Sequence, residues 1–218
     1  MKSELLKRIV TSVLIFSILI FVLINSKFYL LLFLFVLYLL SFYEIYKNSN
    51  SLKFILLSNI FLLIAFYSFY YLKGNTDKEL ILLFWVLFTT FLSDIGGYVF
   101  GKTFKGKKLT KISPNKTYSG LIGCLFFSLF SIPIMTLIQK FFFVEIIINF
   151  FQFKIFILTL VISIICQTGD IYVSYWKRKL NIKDTSNILP GHGGVLDRID
   201  GLIFVLISLF FLKLIKFV

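Results

Sequence analysis

The chain has 218 residues, 59% of them apolar, with a mean hydropathy of +0.95 and a formal net charge of +13. A soluble domain is about 45–50% apolar, and a protein this small cannot hide the excess in one core, so a soluble globule is excluded and lipid must cover part of the surface. The positive charge does not indicate nucleic acid: the lysines sit between apolar runs, where membrane topology explains them first and anionic lipid or a polyphosphate substrate second.

A helix that crosses the bilayer needs about 20 apolar residues. Seven such runs can be read, at about 8–25, 28–46, 54–72, 80–100, 121–139, 155–176 and 197–217. The expected fold is therefore all-α and polytopic, a single integral membrane domain over 1–218 in which 1–80 is scaffold and 93–201 carries the chemistry. The first run follows Lys7 and Arg8 like a signal peptide, but Ile24-Asn25-Ser26 offers no small-x-small cleavage site, so it is read as a retained helix. The segment 140–154 is too short for another span and reads as an interfacial or re-entrant piece on the outer side.

Orientation follows the cations. Residues 101–120 hold six lysines and no acid, and 177–196 is also basic. Both are expected on the cytoplasmic side, which places the N-terminus inside and the 73–79 loop outside. Lys213 and Lys216, near a C-terminus counted as outside, run against this pattern. Cys124 and Cys166 lie inside apolar stretches and form no readable disulfide framework or metal motif.

The polar residues are unevenly distributed. Only three arginines occur, and two of them, Arg178 and Arg198, share the segment 174–200 with the single histidine, His192. Eleven of twelve glycines and five of six aspartates lie between Asp94 and Gly201. Asp94 and Asp170 each stand seven residues, about 10 Å along a helix, before the cytoplasmic end of a span. A carboxylate at that depth is a functional candidate, although a packing role beside small residues is the alternative. Pro190-Gly191-His192-Gly193-Gly194 makes a tight turn that lets backbone approach a ligand. Asp197 and Asp200 follow at i and i+3 on one face of the next helix. Two carboxylates beside a glycine turn and cations suit a divalent metal that holds a polyphosphate. Simple N-terminal capping would account for one of these acids. Lys177-Arg178-Lys179 could equally be an ordinary cytoplasmic helix end.

These residues resemble a known family. Ser174-Tyr175-Trp176-Lys177-Arg178, then Lys183-Asp184, Ser186, Leu189-Pro190, His192-Gly193-Gly194-Val195 and Asp197-Arg198-Ile199-Asp200 together are similar, across 27 residues, to the phosphatidate cytidylyltransferase signature. Asp94-Ile95-Gly96-Gly97-Tyr98 with Phe100-Gly101-Lys102, and Ser113-Pro114-Asn115-Lys116-Thr117 with Gly120, resemble two further segments of that family. Three positions depart from it: Trp176 stands where an aliphatic is usual, and Val173 and Ser119 stand where glutamates are expected.

The resemblance implies transfer of CMP from CTP to phosphatidic acid, giving CDP-diacylglycerol and pyrophosphate at a bacterial inner membrane, with the site facing the cytoplasm. It implies Mg²⁺, with room for a second cation such as K⁺, held by Asp170, Asp197 and Asp200. Lys177, Arg178, Lys183 and Arg198 are expected to neutralise phosphate, and His192 to donate a hydrogen bond to phosphate or shuttle a proton. Ser113, Lys116, Thr117, Ser174, Gly193 and Gly194 are expected to contact substrate. The partners implied are CTP, phosphatidic acid and the bilayer, with room for a homodimer and none for nucleic acid. A CDP-archaeol synthase or CTP-dependent polyprenol kinase would share these features. An ion-coupled transporter would use Asp94 and Asp170 as ion sites, but the two halves are unlike and do not read as duplicated broken helices; a purely structural membrane protein would not need the glycine-histidine-aspartate segment. The CDP-alcohol phosphotransferases are disfavoured, because their Asp-Gly-x-x-Ala-Arg pattern does not occur.

Overall fold

In lipid every backbone N–H and C=O must find its partner within the segment, so long apolar runs fold as helices. The computed structural model describes residues 2–110, 113, 116–142 and 147–215, with side chains from residue 10 onward. The helices are α1 (Lys2–Ile24), α2 (Lys27–Asn48), α3 (Leu52–Lys73), α4 (Asp77–Phe104), α5 (Tyr118–Ser128), α6 (Ser131–Phe142), α7 (Phe153–Lys179) and α8 (Leu196–Leu214). Among the described residues no strand forms, and only the isolated bridges Lys108–Thr117 and Leu189–Gly193 occur. The expected all-α class is observed.

Five stretches are long and apolar enough to cross a membrane: α2, α3, α4, α5 with α6, and α7. They correspond to the second to sixth expected spans. α1 is apolar only over Val10–Ile24, and the 19 residues of α8 include Asp197, Arg198, Asp200 and Lys213. The expected fifth span, 121–139, is interrupted. It folds as α5 and α6 with Leu129 and Phe130 between them, because Pro133 has no N–H to give to the Leu129 carbonyl and is tolerated only in the first turn of a new helix. Of the 140–154 segment, residues 143–146 lie outside the described residues, as do Pro114, Asn115 and Lys216. Its described end is pinned to α6: the buried Gln139 amide donates to Ile148 O at 2.9 Å and accepts from Ile148 N at 2.9 Å.

The chain forms two compact units, one of residues 1–71 with 176–218, the other of 72–175. In the second unit α4 and α5 approach so closely that a side chain at Gly96 would lie 2.2 Å from the Gly123 carbonyl oxygen. Small residues let membrane helices meet backbone to backbone, which gives the Gly96-Gly97 pair a packing duty. Buried hydroxyls add Ser93–Ser163 at 2.7 Å and Thr89–Ser131 at 2.9 Å. In the first unit, aromatic contacts dominate: Phe61 meets Phe204 at 5.1 Å between centroids, and Phe210 meets Tyr67 and Tyr71 at 5.7 and 5.2 Å.

Candidate active site

In the first unit the polar residues gather around the loop 180–195. α7 stops where Asn181 turns left-handed at φ 56°, a conformation asparagine tolerates at a helix end. The loop then closes on itself. Leu189 and Gly193 pair, His192 N donates to Leu189 O at 2.9 Å, and Gly191 and Gly193 take φ of 76° and 86°. These are conformations that side chains resist.

Asp197, in the first turn of α8, holds this loop. Its Oδ2 accepts from Thr185 N at 2.8 Å, Gly194 N at 3.0 Å and Thr185 Oγ1 at 3.1 Å, while its Oδ1 accepts from Lys177 Nζ at 2.7 Å. The Lys177 and Asp197 side chains are only 12% and 5% exposed, so the pair lies largely beyond solvent screening. Asp200 lies on α8 just past the first turn, which holds Asp197 alone of the acids. Its Oδ1 accepts from Gly201 N at 3.1 Å.

A second carboxylate, absent from the expected site, completes the arrangement. Glu44 of α2 is fully buried. Its Oε1 accepts from Ser186 Oγ and Val195 N, both at 2.7 Å, and its Oε2 from Thr185 Oγ1 at 2.8 Å and Leu196 N at 3.0 Å. Asn48, one turn later, donates to Thr185 O at 2.7 Å. A signal for Glu44 was present, since it is an acid within an apolar run, the same criterion that singled out Asp94 and Asp170.

The remaining expected residues of this unit lie around the loop. Arg198 donates through Nε and Nη2 to His192 O at 2.9 and 2.5 Å. His192 has its ring between two hydroxyls of α1, Thr11 Oγ1 at 2.7 Å from Nδ1 and Ser12 Oγ at 3.1 Å from Nε2. Arg178 donates to Ile182 O at 3.3 Å, and both Arg178 and Lys183 are exposed. Gly194 is buried, and the close approach it permits is internal: an added Cβ would lie 1.9 Å from Thr185 Oγ1 and 2.7 Å from Glu44 Oε1. Trp176, the departure from the aliphatic pattern, stacks on Phe54 with centroids 5.2 Å apart.

The second unit has its own polar cluster. Lys116 Nζ reaches Asp170 Oδ2 at 2.9 Å, Gln167 Oε1 at 3.1 Å and Gln167 O at 3.3 Å. Gln167 Nε2 passes the contact on to Asp94 Oδ1 at 3.3 Å. Thr117 is the N-cap of α5, accepting from Gly120 N at 3.1 Å, and Ser113 O accepts from Lys116 N at 3.0 Å. Ser174 lies half-buried on α7. An apolar cavity of about 520 Å³, lined by Leu129, Pro133, Phe150 and Phe156 among others, contains no ionisable group and offers nothing to a phosphate.

Magnesium needs hard oxygen donors, and it commonly takes one or two carboxylates with the rest of its shell from water and substrate phosphates. Among the described residues no three His, Cys, Asp or Glu side chains are gathered as a metal site. The donor chemistry nevertheless fits when phosphate supplies part of the shell. Asp197 already accepts four hydrogen bonds from the protein, three on Oδ2 and one on Oδ1.

Chemically, the arrangement is a protein of apolar helices with a rigid, glycine-turned, cation-rimmed loop at the end of one of them, suited to holding a polyanion beside lipid. Residues 46–215 match the model of the cytidylyltransferase family, and the chain belongs to that family. It is similar to the phosphatidate cytidylyltransferase of Rickettsia conorii, 38% identical over 146 residues, which is 64% of this chain and 60% of the relative. The Rickettsia bellii protein of the same name is 35% identical over 97% of this chain and 92% of its own length. The Bacillus subtilis one is 34% identical over 81% and 65%. In the Rickettsia conorii and Rickettsia felis relatives the match spans 60% and 61% of the full length.

Proposed function

We propose that this chain is a phosphatidate cytidylyltransferase, transferring CMP from CTP to phosphatidic acid with release of pyrophosphate. The observation that carries the reading is the loop 184–195. Its signature residues are tied into one turn by Asp197, with Lys177 bonded to the Asp197 carboxylate and Arg198 to the His192 carbonyl. The relatives named above are all called phosphatidate cytidylyltransferases.

Both reactants are anionic, since a lipid phosphate oxygen attacks the α-phosphorus of CTP and pyrophosphate leaves. Catalysis is therefore mainly charge neutralisation and alignment. Lys177, Arg178, Lys183 and Arg198 supply positive charge to the nucleotide and lipid phosphates. Lys116, with Ser113 and Thr117, offers donors from the other basic loop, and Lys116 exchanges Asp170 for phosphate. Gly193 lets the loop backbone approach substrate phosphate, and Gly194 lets the loop close on Glu44 and Thr185. His192 binds phosphate through its ring when Thr11 or Ser12 releases it. Phosphate needs no strong base near neutral pH, so its proton is not the obstacle. Asp197 and Asp200 would hold Mg²⁺, whose charge would offset that of the nucleotide phosphates.

The same proposal includes seven spans, with α1 and α8 crossing as well, the N-terminus and the basic loops on the cytoplasmic side of the inner membrane. Lysine placement supports it. A cysteine placed at Lys107 should be labelled only from the cytoplasmic face and one at Asn75 only from outside; the reverse pattern would overturn the topology. For the activity, purified protein in micelles should release pyrophosphate only when CTP, phosphatidic acid and Mg²⁺ are all present. Release without the lipid would refute the reading.

A further inference from the structure

We infer that Glu44 is a positioning residue for the nucleotide-handling loop, acting from α2 on residues 185–196; this rests on the function proposed above. Glu44 lies two residues before the family-matched region begins, and no role in the chemistry was expected of it.

A buried carboxylate loses several kcal/mol of hydration, and Glu44 is fully buried. It regains that only through its four donors. Two of them, Val195 N and Leu196 N, are at the N-terminus of α8, where the helix has no internal partners for its first N–H groups and where its dipole favours an anion. The Val195 N-cap makes no side-chain cap of its own, so Glu44 is the cap, supplied from a helix about 150 residues earlier. The other two donors, Thr185 Oγ1 and Ser186 Oγ, lie at the opposite end of the loop. One carboxylate thus ties together both ends of the segment bearing His192, Gly193 and Gly194.

Thr185 links this clamp to the one made by Asp197, since its hydroxyl lies 2.8 Å from Glu44 Oε2 and 3.1 Å from Asp197 Oδ2. Gly194 must lack a side chain for the two carboxylates to close on the loop. Glu44 touches none of the residues expected to bind phosphate through their own side chains. Its effect on the reaction passes through the loop's geometry.

Glu44→Gln is the discriminating variant. Each carboxylate oxygen accepts from one backbone N–H, Val195 on Oε1 and Leu196 on Oε2, so either orientation of the amide sets an NH₂ against a backbone donor. Hydrogen exchange of the full-length protein in micelles should accelerate by about 10–150-fold in peptides covering 185–196, the factor matching loss of one hydrogen bond to a charged group. Peptides from α4, α5 and α6 should exchange as in wild type. In the transfer assay kcat/KM for CTP should fall by about tenfold or more, while the protein remains monodisperse. Thr185→Val should reproduce part of both effects and Thr185→Ser should restore them. Unchanged exchange in 185–196, acceleration spread evenly over the chain, or faster loop exchange with unaltered kcat/KM would each overturn the proposal. A wild-type protein without cytidylyl transfer would sink the proposed function instead, and the exchange experiment would still decide whether Glu44 holds the loop.

Discussion

Asp197→Asn separates two duties that one carboxylate could have, holding the loop or ligating metal. The Oδ1 side faces Lys177 Nζ at 2.7 Å, and the Oδ2 side faces Thr185 N and Gly194 N at 2.8 and 3.0 Å. An asparagine satisfies the loop best with its oxygen on the Oδ2 side, which turns its NH₂ toward the Lys177 ammonium. The variant then loses one charge-assisted bond, worth about 1.5–3 kcal/mol, and leaves Lys177 unpaired where its side chain is 12% exposed. That corresponds to a loss of roughly 10–150-fold in kcat/KM. Lys177→Met removes the same bond from the other side. If the two residues act partly through each other, the double variant should lose less than the product of the two single losses, giving a coupling of about 1 kcal/mol or more in the cycle. The assay is steady-state CTP-dependent product formation in micelles at saturating phosphatidic acid. A double variant showing the product of the two single losses would refute the clamp, because Asp197 and Lys177 would then serve separate partners.

Three other outcomes are expected. Asp200→Asn should raise the Mg²⁺ concentration for half-maximal rate by about tenfold, the size expected for one lost ligand or its support; a lowered rate with an unshifted Mg²⁺ curve would remove it from the metal. Gly194→Ala forces a Cβ to within 1.9 Å of Thr185 Oγ1, so overpacking of about 1–3 kcal/mol should lower Tm and cut activity at least tenfold, and wild-type values in both would contradict the packed loop. Trp176 Nε1 is buried without a hydrogen-bond partner, so Trp176→Phe, which keeps the stacking on Phe54, should leave Tm in detergent unchanged or raise it by an amount matching about 1 kcal/mol; a clear drop would show that the indole N–H is needed.

The helices were legible from the length of the apolar runs, because lipid leaves the backbone no alternative. Their breaks were less so. Pro133 inside 121–139 pointed to an interruption that hydropathy alone smooths over, and α8 with its four charged residues reads as a span only by its apolar remainder. The loop 184–201 stood out by composition, and its residues do assemble. What spacing could not show was which partners hold them. Glu44 and Asn48 come from α2 and Thr11 and Ser12 from α1, more than 130 residues earlier in the chain. No local pattern encodes such contacts. Gly194 illustrates the same limit: the sequence showed that a side chain is unwelcome there, and the structure shows that Thr185 and Glu44 exclude it.

Cytidylyl transfer is tested most directly by following the label of CTP into lipid. With purified protein, phosphatidic acid and Mg²⁺, CTP labelled at the α-phosphorus should yield labelled lipid, while CTP labelled at the γ-phosphorus should yield labelled pyrophosphate and unlabelled lipid. Lipid that acquires the γ-label with release of CDP, or no lipid labelling from either nucleotide, would contradict the account.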